Sequence, residues 1–562
     1  MNNEPRPIIG IDLGTTNCAL AYAQGEEVDL FQIPQFVHPG EVRDEPLLPS
    51  FLFLDETGPI VGVLAQKKGL ENAGRLVSSA KSWLSHGGVD RTAPILPPEA
   101  PDGVSRVSPV EASKQYLAHL RDSWNNKHPD NPFEAHQVLV TVPASFDAVA
   151  RDLTLKAAAD AGYREIILLE EPQAAFYNWI ERNSGWRELV GPGDLILVID
   201  IGGGTTDFSL IAVKDQGGEI ALERIAVGDH ILLGGDNIDA ALAHRVAQEL
   251  PKKLDMIQFH ALWQQCRAAK ESLLEESSTE KEHPITILGR GTGVVGGTIK
   301  TKLKRKDIDA LLLDGFLPEV SIDEEPQGRH AALMEFGLPF AADPAITRHL
   351  AHFLRHQQAT PTHVLFNGGV LRAKTVRERM LQVVNSWLPK PVTSLNADDL
   401  MHAVARGAAY YGLARQGKGI RVRGGVPRSY YIGIETSMPA VPGMRPPLKA
   451  LTVVPFGMEE GTGHQITNRL FALRIGERAQ FRFFASSERK EDAAGLMLDA
   501  IPEELEETSP VEVMLPGNPG ETVAVSLESL VTETGVLELW FVARDGRRWK
   551  LEFNVRPKKK GA

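Results

Sequence analysis

Residues 195–213 read LILVIDIGGGTTDFSLIAV. An apolar run, Leu195 to Ile199, ends at Asp200, the turn Gly202-Gly203-Gly204-Thr205-Thr206-Asp207 follows, and a second apolar run extends from Phe208 to Val213. Two short apolar runs separated by glycine turn chemistry predict a buried strand, a tight turn and a returning strand. Three successive glycines let backbone approach a ligand closely and turn its N–H groups inward, a concavity that suits phosphate. Asp200 and Asp207 bracket it with the hard oxygen ligands that Mg²⁺ requires. Residues 8–22, IIGIDLGTTNCALAY, repeat the grammar: an apolar strand, then Asp12, Gly14, Thr15, Thr16 and Asn17, then a returning run. Asp12 and Asp200 are 188 residues apart (200 − 12), about one domain of chain. Either hairpin alone could be an ordinary β-turn. The pair predicts two similar lobes closing on a nucleotide from both sides.

The whole chain suits that picture. Its 562 residues are enough for several domains, and 43% hydrophobic with 24% charged residues is ordinary for a globular protein. A net charge of −13 argues against a nucleic-acid footprint. Two cysteines, Cys18 and Cys266, suit a reducing compartment and buried apolar sites. With neither a secretory leader nor a run of about 18 apolar residues, the expectation is a cytoplasmic protein without a membrane partner.

Along the chain, Ser108 and Pro109 predict the cap and first turn of a helix over 108–122. Val138 to Val142 reads as a strand stopped by Pro143; Val149, Leu153 and Ala157 then share a helix face. Ile166 to Leu169 is a further strand, with Glu170-Glu171-Pro172 opening a helix. Helices are expected over 239–250, 258–276 and about 400–414, the last with a small-residue face of Ala405, Ala408, Ala409 and Gly412. Gly291 to Gly296 formally matches GxGxxG, but the following TIKTKLKR alternates like a strand, so a hairpin loop is expected rather than a dinucleotide site. Residues 416–427, QGKGIRVRGGVP, form a glycine-rich basic linker. Beyond it short strands recur at 430–434, 481–485, 511–515 and 522–527. Two alternating runs then flank Asp545-Gly546, a hairpin signal. A β-sandwich is expected from about residue 428.

Three further stretches carry a family resemblance: VLVTVPASFDAVARD (138–152), LLEEPQAAF (168–176) and VGDHILLGGDNID (227–239). With the two hairpins, they make the chain similar to the 70-kDa heat-shock protein (Hsp70) family within the actin and sugar-kinase superfamily, as a divergent bacterial-type member. The resemblance implies an α/β, two-lobed actin-like ATPase with duplicated ribonuclease H-like lobes over 1–416. A linker over 417–427, an all-β sandwich over 428–556 and a basic tail over 557–562 follow, without the family's helical lid. It implies ATP/ADP and Mg²⁺ as cofactors, with Asp12 and Asp200 at the metal. Gly14, Thr15, Thr16, Asn17, Gly202, Gly203, Gly204 and Thr205 would hold the phosphates. Lys81, Glu171, Thr205 and Asp207 are the catalytic candidates. Gly234, Gly235, Lys270, Gly368, Gly369 and Arg372 would line the nucleoside, and Pro143 and Arg151 would relay nucleotide state between domains.

Several positions depart from the family. Arg267, Glu271 and Leu274 alter the face expected to touch adenine and ribose, and Val370 replaces a serine. Asp398 and Asp399 compete for an aspartate near the last helix. The linker is basic where the family's is leucine-rich and acidic. The expected function is a slow ATPase that regulates binding of unfolded or extended apolar peptides, assisted by a co-chaperone and a nucleotide-exchange factor. The alternative is an ATP-dependent regulatory or scaffold module for one dedicated protein partner, with weak interdomain coupling. A metabolite kinase of the superfamily is disfavoured by the EEPQAA element and the β-domain.

Overall fold

The computed structural model describes residues 7–551 except 99, 217–218, 288–297, 329–337, 339, 396–398, 417–421, 424–425, 427, 437–447, 459–461, 487, 509–510 and 532–536. Two of its sheets have the same plan. In the first, the order is Ile166–Glu170, Gln137–Val142, Ile8–Leu13, Asn17–Gln24, Glu27–Leu30. The first three strands run parallel and the next two antiparallel. In the second, Thr393–Leu395, His363–Asn367, Leu195–Ile201, Thr206–Gln216 and Glu219–Val227 follow the same order with the same senses. Numbered along the chain, both cores read 5-4-1-2-3, so the duplication visible in the hairpins extends to whole lobes. This is an actin-like pair of ribonuclease H-like lobes.

The lobes meet on two helices. Glu171–Arg182 is buried continuously from Pro172 to Ile180, and Ala403–Arg415 is buried almost throughout. One apolar cluster joins both helices to Ile8 and Leu139 of one sheet and Ile196, Val198 and Leu365 of the other. The small-residue face of the last helix exists because nothing larger fits. A Cβ on Gly407 would lie 1.7 Å from Ala174 O, and one on Gly10 2.4 Å from Ala405 O. Arg406 and Glu181 tie the two helices by a 2.7 Å ion pair.

Element boundaries differ from expectation where caps decide them. The 108–122 helix continues to Lys127, and Ser108 Oγ accepts from Glu111 N at 3.0 Å as foreseen. The helix after Pro143 begins only at Ala148, capped by Asp147, and places Val149, Leu153 and Ala157 in the first lobe's core. The 239–250 helix starts earlier, at Gly235, and the next spans Met256–Leu274 with Asp255 and Gln258 as a capping box. The GxGxxG stretch lies outside the described residues, but its flanks, Glu282–Ile287 and Ile299–Lys304, pair antiparallel. A strand therefore follows the glycines where a dinucleotide fingerprint needs a helix.

The C-terminal region is all β, with a five-stranded and a four-stranded sheet and a two-stranded ribbon. Ile432, Leu451, Phe483, Val525, Leu539 and Phe541 lie in its shared core. The expected 481–485 strand is split at Arg482: Arg478–Phe481 pairs with Val511–Met514, whereas Phe483–Ser486 joins the other sheet. Strands at Leu448–Val454 and Gly463–Ile475 were not expected. The second is exposed from Gly463 to Leu470 except at Ile466, and alternates as a half-buried strand does only from Phe471 to Ile475. Of the linker, Val422 and Arg423 pair parallel with Leu222 and Glu223, extending the second lobe's sheet. The basic tail lies outside the described residues. Among the described residues, no helix is long and apolar enough to cross a membrane.

Candidate functional site

A cleft of about 1280 Å³ runs between the lobes, lined by both glycine hairpins. The strand registers place their aspartates equivalently: Asp12 stands opposite Ala19, and Asp200 opposite Asp207, each near the mouth of its hairpin. The two turns touch. A Cβ on Gly203 would lie 1.9 Å from Thr16 Oγ1 and 3.1 Å from Thr16 Cβ, so a side chain there would force the Thr16 hydroxyl to turn away. Ser50 secures the first turn, its Oγ donating to Gly14 O at 2.7 Å. The second is secured by the Gly234-Gly235 turn, where Gly235 N donates to Gly202 O at 3.0 Å and Asp236 N to Gly203 O at 2.7 Å. Thr15, Asn17 and Thr205 line the same cleft. Gly204 packs against Ser82 and Thr15. Thr16 Oγ1 is buried without a hydrogen-bond partner, a donor left for whatever fills the cradle.

Four carboxylates converge here with one ammonium. Lys81, in the short helix Ala80–Leu84, makes an ion pair with Glu171. Burial pushes Asp12 up to about 7, aided by the charge of Glu171 and opposed by Lys81. Asp200 stands well above the usual carboxylate range, through burial and then the charges of Glu171, Asp207 and Asp12. Burial also raises Glu171 and Asp207. For Lys81, burial disfavours charge, but Glu171 and Asp12 outweigh it and hold the ammonium above its ordinary value. Excess negative charge in a buried cleft, on hard oxygen ligands, fits a divalent cation such as Mg²⁺.

The side of the cleft where the resemblance expects the nucleoside is assembled from three elements. Asn367 closes its strand, and Gly368, at φ +93°, leads into the single turn Gly369–Arg372. Arg372, Val370 and Gly369 line the cleft together with Arg267, Lys270, Glu271 and Leu274 of the Met256–Leu274 helix. Lys270 pairs with Asp239 at 2.7 Å and reaches Gly235 O at 3.5 Å. Arg267 lies 3.8 Å from Asp236 and 3.3 Å from Glu271. Asp236 also accepts from Ser79 Oγ of the opposite lobe at 3.1 Å, a bond that spans the cleft mouth. Of the two competing aspartates, Asp399 lines the cleft and holds His402 at 2.8 Å; Asp398 lies outside the described residues.

Pro143 and Arg151 are not among the residues lining the cleft. Arg151 donates to Glu170 at 2.7 Å and to Ala144 O and Phe146 O at 3.2 Å. Glu170 also pairs with Arg224 of the second lobe. Arg151 and Arg428 act electrostatically on Tyr430, in the first strand of the β-domain, and Arg428 pairs with Asp229 at 3.3 Å. Sequence reasoning missed Ser145, His230, Asn367 and Asp236. Ser145 donates to Asp207 and lies 2.6 Å from His230 Nδ1. Ser145, His230 and Asp236 sit within stretches quoted for the resemblance and Asn367 immediately precedes Gly368, but nothing in their spacing marks them.

Both cysteines are buried, with thiols pushed up to about 12 by burial, as expected of small apolar residues.

Comparisons place this cleft among known proteins. The family profile described as Hsp70 protein matches residues 8–317, more than half of the chain. A chaperone protein HscA homolog of Bordetella pertussis is 32% identical over 287 residues, 49% of this chain and 42% of that protein. A second, from Delftia acidovorans, is 30% identical over 323 residues, 55% and 47% of the two chains. A third, from Colwellia psychrerythraea, is 31% identical over 300 residues, 51% and 44%. The match thus spans less than half the length of each of these relatives. With duplicated lobes, twin glycine hairpins and a family profile covering most of the ATPase-like region, this chain belongs to the Hsp70 family.

Proposed function

We propose that the protein is an Hsp70-type chaperone: a slow Mg²⁺-dependent ATPase whose nucleotide state tunes binding of unfolded or extended apolar peptides on the β-domain. The observation that carries this is the meeting of Asp12, Glu171 and Asp200 with Lys81 in the cleft, with Asp207 acting electrostatically on Asp200, at two glycine hairpins that touch. Asp12 and Asp200 would hold Mg²⁺, largely through its waters, and the bound cation would neutralise charge on the phosphates. The hairpin amides with Thr15, Thr16 and Asn17 bind and orient the phosphates. Thr205, Glu171 and Asp207 orient the attacking water, and Lys81 sits where it can offset charge developing on the transferred group. Catalysis here is positioning and electrostatics, as phosphoryl transfer demands. Residues 1–416 would be the ATPase, 417–427 the linker and 428–556 the substrate domain, in a cytoplasmic protein served by a co-chaperone and an exchange factor.

Arg267, Glu271 and Leu274 face the cleft, so adenine preference rests on a face unlike the family's. Binding of ATP against GTP measures it directly.

A second reading, one dedicated protein partner with weak interdomain coupling, is favoured by the glycine-rich basic linker sequence. Single-turnover hydrolysis with Mg²⁺, with and without an unstructured apolar peptide, separates the two. Peptide acceleration abolished by Thr205→Ala and Glu171→Ala supports the chaperone. Hydrolysis indifferent to peptide supports the dedicated partner, and bound ATP without hydrolysis overturns the catalytic assignments.

A further inference from the structure

Among the described residues, one group of side chains away from the cleft brings three metal-binding atoms within 4.8 Å of one another: Glu325, His352 and His356. The two histidines are four residues apart on the helix Ile346–His356 and so share a face. Their ring centroids are 4.1 Å apart. Glu325 approaches from the preceding segment, its Oε2 lying 2.5 Å from His352 Nδ1 while its Oε1 pairs with Arg355. That segment is fastened to the helix. Arg348 grips Asp343 and Glu324 at 3.1 Å, and Arg355 donates to Asp323 O at 2.9 Å.

We propose that Glu325, His352 and His356 bind a zinc-class divalent cation at the seam between the second lobe and the β-domain. Two imidazoles and one carboxylate oxygen, with room for water, are the ligand set of such ions, whereas Mg²⁺ and Ca²⁺ favour all-oxygen sites. A single ion pair accounts for one histidine beside Glu325. Helical spacing sets the second ring 4.1 Å from the first, and Glu325 and Glu488 each approach one ring of the pair. Arg355 on the far carboxylate oxygen leaves Oε2 to the ion, an outer-shell arrangement familiar at metal sites.

The seam enters through Glu488 of the β-domain, whose Oε1 lies 3.5 Å from His356 Nδ1. A carboxylate on a ligating histidine orients the ring and strengthens its binding. Next to it, Lys490 donates to Gln357 Oε1 at 2.5 Å and to Ile225 O at 3.5 Å, so this is where the β-domain touches the lobe. A cation here favours the docked arrangement by its differential affinity for it.

The test is zinc titrated into the full chain against a chromophoric chelator, in excess Mg²⁺, which needs no ATPase readout. One zinc ion per chain is expected, weakened at least ~10-fold by His352→Ala/His356→Ala and by Glu325→Gln. Circular dichroism checks that the variants fold, and Glu325→Gln leaves the helix sequence untouched. Uptake by both variants equal to the parent overturns the site, as does uptake that Mg²⁺ abolishes. Glu488→Gln is expected to weaken zinc ~10-fold; unchanged affinity in that variant overturns the contribution of the β-domain.

Discussion

Asn367 Nδ2 donates to Asp200 Oδ2 at 2.7 Å, and the two residues stand opposite each other in neighbouring parallel strands. Both side chains are buried. Gly368 packs on the other carboxylate oxygen, where a Cβ would come within 2.7 Å of Asp200 Oδ1. The aspartate that would anchor Mg²⁺ is thus aimed by the strand that opens the nucleoside turn. Asn367→Ala removes the donor and leaves a buried acceptor unpaired, at a cost of ~1–3 kcal/mol in urea unfolding. The Mg²⁺ concentration needed for half-maximal hydrolysis should rise several-fold. An unchanged Mg²⁺ requirement would mean that Asp200 keeps its orientation without Asn367.

The two glycine hairpins and the lobes they imply were legible in the sequence because each is local: an apolar strand, a glycine turn and a return. Lys81 and Glu171, 90 residues apart, meet only through the fold, and their pairing rested on family resemblance. Asn367 and Ser145 carried no signal, since their roles come from strand register and from the loop Pro143 to Asp147. The start expected at residue 239 slipped to Gly235 because an unforeseen cap, Gly234, fixed it. In the β-domain, Gly463–Ile475 was missed because its first eight residues are exposed except for Ile466, so burial left its imprint only from Phe471 on.

Lys81 and Glu171 are 7% and 13% exposed, so each is the other's main compensation. Lys81→Ala removes the cation paired with Glu171 and leaves its carboxylate beside the charges of Asp12 and Asp207. We expect single-turnover hydrolysis to fall by ~10²–10³, the loss typical of one preorganised electrostatic partner. Nucleotide affinity, set mainly by the hairpin amides, should change far less. Equal losses in affinity and rate would place Lys81 in ground-state binding and sink its assignment to the transition state.

Gly234 shows what the second hairpin demands of its support. Its backbone is extended, so no unusual dihedral is at stake, but a Cβ would fall 2.6 Å from Gly203 O and 2.7 Å from Gly202 O. These carbonyls are fixed by their bonds to Asp236 N and Gly235 N, so backbone must move. Gly234→Ala should displace the phosphate turn and weaken ATP binding by ~10-fold or more, as overpacking of ~1–3 kcal/mol implies. Calorimetric titration measures this, with Gly185→Ala, where a Cβ meets nothing within 4 Å, as the comparison. Equal affinity in both variants would show that the turn yields without cost.

His230 gives the cleft a pH dependence of stability. Its ring stands between Ser145 Oγ at 2.6 Å and Ser85 Oγ at 2.9 Å. Ser145 has one proton; when it donates to Asp207, its oxygen accepts from Nδ1–H of the neutral imidazole, and Nε2 then shares the single proton of Ser85 with Ser82 O, which lies 2.9 Å from the same hydroxyl. Burial lowers His230 to about 4, with Arg428, Lys81 and Arg91 acting in the same direction and Asp147 against it. The unfolded imidazole takes its proton near pH 6.5. Between these values the unfolded chain binds more protons, so stability falls as pH drops through the window. The full span corresponds to ~3 kcal/mol, less what solvent at the ring edge recovers. His230→Gln, which cannot titrate, should flatten the profile between pH 7 and 4.5 by up to ~3 kcal/mol in urea unfolding, while leaving other histidines to contribute equally to both chains. Parallel profiles for parent and variant would show that the proton goes elsewhere, and that the Asp207–Ser145–His230 chain withstands acid intact.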